Sequence, residues 1–158
     1  MSLNTYHSPV VHFPIALLLL GSVAALLYLA GMRRDELRVL TWWPLRLGWL
    51  GAAAAVLTGL LSQSGLPPRA PYSAVLNWHI GSGLTLLLVY AVLLYRQWLW
   101  TAKRQHRAPD APSDLLDVPS ARGWMRALLV LGVALVVLSG WLGGELVFTW
   151  GVNVQGTE

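Results

Sequence analysis

The sequence predicts an all-α fold, a membrane-spanning four-helix bundle. Of its 158 residues, 56% are hydrophobic and only 11% are charged, so the apolar content exceeds that of soluble domains. Four apolar segments, each about the 20 residues that a helix needs to cross the hydrocarbon, lie at 14–32, 42–63, 74–100 and 123–147. A single domain over residues 1–158 accommodates all four segments.

The first segment has an entry rich in histidine and proline, with His7, Pro9, His12 and Pro14. It has no basic residue before the apolar run and carries its arginines after it, which differs from a cleavable signal, so we expect this span to be retained. A proline in the first turn of a helix costs no hydrogen bond, so we expect the helix to begin near Pro14.

The remaining segments contain recurring small residues, which let helices approach closely in lipid and so favour a compact bundle. These are Gly48, Gly51, the alanines of 52–55, Gly81, Gly83, Gly140 and Gly144.

The basic residues indicate the orientation of the bundle. Ten of the eleven lie in or beside the first and third connections: Arg33, Arg34, Arg38, Arg46, Arg96, Lys103, Arg104, Arg107, Arg122 and Arg126. By the positive-inside rule these connections face the cytoplasm, so the topology is N-out and C-out. We expect a multi-pass protein of the bacterial inner (cytoplasmic) membrane with both termini in the periplasm.

The third connection, residues 101–122, contains three prolines and three aspartates among its basic residues. Such a polar stretch lacks the apolar surface needed to fold alone, so it is interpreted as a flexible cytoplasmic surface loop without a site.

Charge and cysteine content exclude several classes of function. The net charge of +4 comes from residues beside apolar spans that form no basic face, so we expect the lipid bilayer and no nucleic acid as partner. The chain has no cysteine, which excludes thiolate metal sites, iron–sulfur clusters, disulfides and covalently attached haem.

Polar residues of the spans concentrate at the outer end. If the third helix starts near Ser73, His79 lies about 9 Å along it, below the headgroups. His7 and His12 precede the first span on the same side, and Glu145 is the only acid inside any proposed span. A buried polar group in lipid is costly, so several at one depth point to a site.

The segment 7–17, together with 143–148 and 151–154, resembles a family of uncharacterised four-helix bacterial membrane proteins, the domain of unknown function two-two-three-one. The resemblance implies a His-Pro and Val-His-Phe-Pro opening, a histidine early in helix three and a Gly-Gly-x-Leu-Val-Tyr then His-Gly-Val ending, which His7, His12, His79 and 143–147 match. Ser8 interrupts the first pattern and Trp150 stands where the family often has histidine, so a four-histidine site is incomplete.

The leading functional hypothesis is a b-type haem protein that transfers electrons at the outer face. His79 would ligate the iron with His12 or His7, Gly81 and Gly83 would leave room for the macrocycle, and Trp141 would line the site. A membrane or periplasmic redox protein would be its partner.

Two alternatives remain open. In the first, His7, His12, His79 and Glu145 bind zinc or copper, which accept such nitrogen and oxygen donors. In the second, the chain is a non-catalytic subunit or assembly factor that holds no cofactor. No serine, histidine and acid order stands out, which argues against a hydrolase. We expect an electron-transfer or accessory membrane subunit rather than a stand-alone enzyme.

Overall fold

A computed structural model describes residues 4–63 and 70–152, with side chains from residue 11 onwards in the first helix. Four helices account for most of them: α1 (Asn4–Leu29), α2 (Asp35–Gln63), α3 (Ser73–Ala102) and α4 (Arg122–Phe148). The described residues contain no strand, which confirms the all-α prediction. All four helices are long and apolar enough to cross a membrane.

The first helix begins at Asn4, so the expectation of a start near Pro14 is wrong. Pro9 and Pro14 lie inside the helix, where a proline leaves the carbonyl four residues earlier without its usual amide partner. Pro14 is buried against α2: a Cβ placed on Gly51 would lie 3.3 Å from the Cβ of Pro14.

The helices form two closely packed hairpins, α1 with α2 and α3 with α4, which meet through lighter contacts of α1 with α4 and of α2 with α3. In the first hairpin, a Cβ on Gly21 would lie 2.7 Å from Cγ of Leu45, and one on Gly48 would lie 3.0 Å from Cγ of Leu18. Glycine at these positions therefore permits the close approach of α1 and α2, which the sequence predicted for Gly48 but not for Gly21.

One buried hydrogen bond crosses the centre of the bundle. The hydroxyl groups of Ser22 on α1 and Tyr90 on α3 lie 2.8 Å apart, and both residues are fully buried. The Tyr90 ring rests on α4, where a Cβ on Gly132 would approach its Cζ and Oη atoms to 2.7 Å. Tyr90 thus links the two hairpins in the membrane interior.

The connection between α3 and α4 differs from the polar surface loop expected for 101–122. Three short 3₁₀ turns follow one another, Arg104–His106, Leu115–Asp117 and Pro119–Ala121. Leu115 and Leu116 are 3% and 1% exposed and belong to the hydrophobic core. The connection therefore has apolar residues enough to pack on the bundle, even though it could not fold alone.

Polar contacts hold this connection in place. The Asp117 carboxylate accepts from the Tyr28 hydroxyl at 2.6 Å and from Nη2 of Arg38 at 2.6 Å, and Arg38 also donates to the Tyr28 oxygen. Nε1 of Trp42 donates to Asp114 at 2.8 Å. The loop thus closes over α1 and α2 through the set Tyr28, Arg38 and Asp117, called here the Asp117 cluster.

The bundle has two chemically distinct ends. The histidine end carries His12, His79, the end of α2 and the start of α3, whereas the basic end carries the connections from α1 to α2 and from α3 to α4. The polar cluster and the cationic loops therefore lie at opposite ends of the helices.

Candidate functional site

A cavity of about 460 Å³ opens between the two hairpins at the histidine end. All four helices line it, and it extends from His12 and Phe148 down to Leu18 and Leu86. Its size falls within the roughly 300–1,000 Å³ of sites that bind small molecules and cofactors.

The wall of this cavity is mainly aliphatic. Its polar side chains are those of His12, Ser62, Gln63, His79 and Ser139. The Ser62 hydroxyl donates its hydrogen bond to the carbonyl of Thr58 in its own helix, so this donor is already used. The cavity therefore suits an apolar group that needs few polar contacts.

The His79 imidazole is held by one hydrogen bond from α3 to α4. Nδ1 lies 3.0 Å from the carbonyl oxygen of Ser139. A carbonyl only accepts, so this bond requires the proton on Nδ1 and leaves the lone pair on Nε2. The described residues provide no hydrogen-bond partner for Nε2. Imidazoles that bind metals are commonly oriented by such a bond.

Glycine makes room for the His79 ring against α4. A Cβ on Gly143 would lie 3.1 Å from Cε1 of His79, closer than ordinary van der Waals contact. Sequence reasoning identified His79 but missed Ser139, whose role depends on a backbone carbonyl. The cluster of small residues from Ser139 to Gly144 is the signal that could have marked this face of α4.

Of the other predicted cofactor residues, the structure brings His12 and Gly83 to the same cavity as His79. His12 is an exposed residue of α1 at the cavity mouth, and a Cβ on Gly83 would make only ordinary contact, at 3.7 Å from Val56. Trp141 is 72% exposed and does not line the cavity, so its ring faces the surroundings of the bundle.

The predicted metal set is not assembled by the residues whose side chains are described. Glu145 is half-buried and lies outside the cavity wall that contains His12 and His79. The described residues contain no group of three or more His, Cys, Asp or Glu placed to hold a metal ion. The side chain of His7, the fourth member, lies outside the described residues.

Comparison with known proteins gives one match. A family model described as "Predicted membrane protein (DUF2231)" matches residues 4–156. Neither a curated protein nor a solved structure matches the chain. Because the match covers almost all of the sequence and the four helices can span a membrane, the chain is an integral membrane protein that belongs to the DUF2231 family.

Proposed function

We propose that the cavity at the histidine end binds haem b, which His79 would hold through Nε2, and that the protein transfers electrons. The observation that carries the proposal is the bond from Nδ1 of His79 to the Ser139 carbonyl. It fixes the ring and keeps the lone pair of Nε2 available, as ligation of iron by imidazole requires.

The residues present fit such a group. The mainly aliphatic wall suits a flat apolar macrocycle, and the absence of cysteine from the sequence means that attachment would be non-covalent. Gly83, one turn beyond His79, projects no side chain into the cavity. A bound haem would supply reversible one-electron chemistry, while the chain would set its position and its access to water.

His12 is the candidate for a second histidine that would hold the haem. It comes from α1 and His79 from α3, two helices that do not belong to the same hairpin. Cofactors in helical bundles are commonly held by side chains from facing helices. His7, in the same entry segment of α1, stays the alternative partner.

The proposed orientation places the histidine end in the periplasm. The basic end carries the arginines of both connections next to apolar spans, and the positive-inside rule assigns such loops to the cytoplasm. Both termini would then lie outside the inner membrane, and electrons would be exchanged with a membrane or periplasmic redox protein.

The test is an absorption spectrum of the protein purified in mild detergent, recorded before and after reduction by dithionite, with a pyridine haemochrome assay. We expect an α-band that sharpens on reduction and that is lost in His79→Ala. His106→Ala is the matched control, because His106 is an exposed histidine of the basic end.

Loss of the α-band in the control as well, or an unchanged band in His79→Ala, would contradict the assignment of His79. A featureless spectrum would overturn the haem proposal. Stoichiometric zinc or copper in such a sample would support the ion site, and the absence of metal would support an accessory subunit.

A further inference from the structure

A second recess, of about 240 Å³, lies at the basic end between the end of α3, the connection that follows it and the start of α4. Three cationic side chains line it, Arg96, Lys103 and Arg107, together with Trp100 and Trp124. No acidic residue is among its lining residues. In the described part of the chain, both ion pairs involve Arg38, so the three cations keep their charge uncompensated.

Two of the cations are positioned by aromatic rings. The Arg107 guanidinium lies 3.4 Å from the centre of the Trp100 ring and donates a hydrogen bond to the Trp100 carbonyl at 2.5 Å. Arg96 lies 5.3 Å from the centre of the Trp124 ring. Stacking occupies the flat face of a guanidinium, so the Arg107 N–H groups other than the one bonded to the Trp100 carbonyl are left for an oxyanion, a geometry that suits phosphate.

The surroundings of the recess favour a lipid over a soluble anion. Leu99 and Val118 line it beside the cations, and α3 continues from here into the apolar span. Tryptophan is enriched where a bilayer meets water, which is also the depth of lipid phosphates. Basic pockets between membrane helices are a recurrent form of headgroup site.

We propose that this recess binds the phosphodiester headgroup of an anionic phospholipid, with Lys103 and Arg107 as its principal cationic contacts. The acyl chains would lie along the exposed apolar surface of α3, where Val92 and Tyr95 are about half exposed. The proposal is independent of the haem site, which lies at the opposite end of the bundle.

The experiment is native mass spectrometry of the full chain in detergent, titrated with phosphatidylglycerol or phosphatidylcholine. We expect preferential retention of phosphatidylglycerol. One basic residue near the surface accounts for about a fivefold change in affinity, so Lys103→Gln should lose about fivefold and Lys103→Gln/Arg107→Gln about thirtyfold. The Lys103 side chain makes no hydrogen bond to any residue that the structure describes, so its single variant should fold normally.

The matched control is Arg33→Gln/Arg34→Gln, which also removes two positive charges, but from the connection between α1 and α2 at the same end of the bundle. This control should retain the lipid. Equal loss in the control, or equal retention of the two lipids by the unmodified protein, would overturn the proposal. Displacement of phosphatidylglycerol by inorganic phosphate at equal concentration would overturn the assignment to a lipid.

Discussion

Replacing Asp117 with asparagine tests whether the Asp117 cluster closes the connection between α3 and α4. The carboxylate accepts hydrogen bonds from Tyr28 and Arg38, each at 2.6 Å, and hydrogen bonds to charged groups contribute roughly 1.5–3 kcal/mol. The Arg38 side chain is 32% exposed, so solvent screens part of this energy. Asparagine can still accept one of these hydrogen bonds, so we expect the free energy needed to open the connection to fall by about 2 kcal/mol.

The expected result is local opening of the connection rather than unfolding of the bundle. The amide of Leu115 donates to Oε1 of Gln97 at 3.1 Å, and that of Leu116 donates to Asp114 at 2.9 Å, so both exchange with solvent only when the segment opens. A loss of about 2 kcal/mol raises this exchange roughly thirtyfold. Hydrogen exchange followed by mass spectrometry of peptides from 108–120 measures it.

Asp110→Asn is the control, because it removes an exposed aspartate from the same connection. It should change exchange by less than about twofold, as surface substitutions typically do. Equal exchange in the two variants would refute the inference that the Asp117 cluster holds the connection closed.

Two further predictions concern packing in the membrane interior, both measured by unfolding in mixed SDS micelles. Tyr90→Phe leaves the Ser22 hydroxyl without its partner and should lower the free energy of unfolding by about 1 kcal/mol. The double variant Tyr90→Phe/Ser22→Ala removes both partners and should recover much of that loss. A double variant less stable than Tyr90→Phe would contradict this. Gly132→Ala should lower the free energy of unfolding by about 1–3 kcal/mol, because the added Cβ meets the Tyr90 ring. The control Gly81→Ala adds a Cβ in open space and should not lower it. Equal effects of the two substitutions would contradict close packing of Tyr90 on Gly132.

The membrane helices, and the kinds of residue found at each end of the bundle, could be predicted from the sequence. Long apolar runs leave few alternatives to membrane helices, and depth along a helix follows directly from residue count. For this reason His12 and His79 were correctly placed at the same end, and both line one cavity.

The faces of the helices could not be predicted in the same way. A helix that is apolar on every side gives no pattern from which its buried face can be read. Trp141 was therefore assigned to the cofactor site, whereas the residue is 72% exposed and lies outside the cavity wall. Gly132, which receives the Tyr90 ring, was not singled out for the same reason.

Contacts between distant residues were also beyond the sequence. Asp117 bonds to Tyr28 and Arg38, which precede it by 89 and 79 residues, and only the assembled bundle brings them together. The early start of α1 was missed because Pro9 and Pro14 are typical of helix entries, although a buried proline can be retained inside a helix.

The most direct test of the account is the absorption spectrum of His79→Gly with and without added imidazole. Removal of the side chain leaves space at the position held by the bond to Ser139, and free imidazole can then supply the missing nitrogen. We predict that the variant loses the Soret band of the purified protein and regains it with imidazole. A variant whose spectrum equals that of the unmodified protein, or a purified protein without a Soret band, would contradict haem ligation by His79.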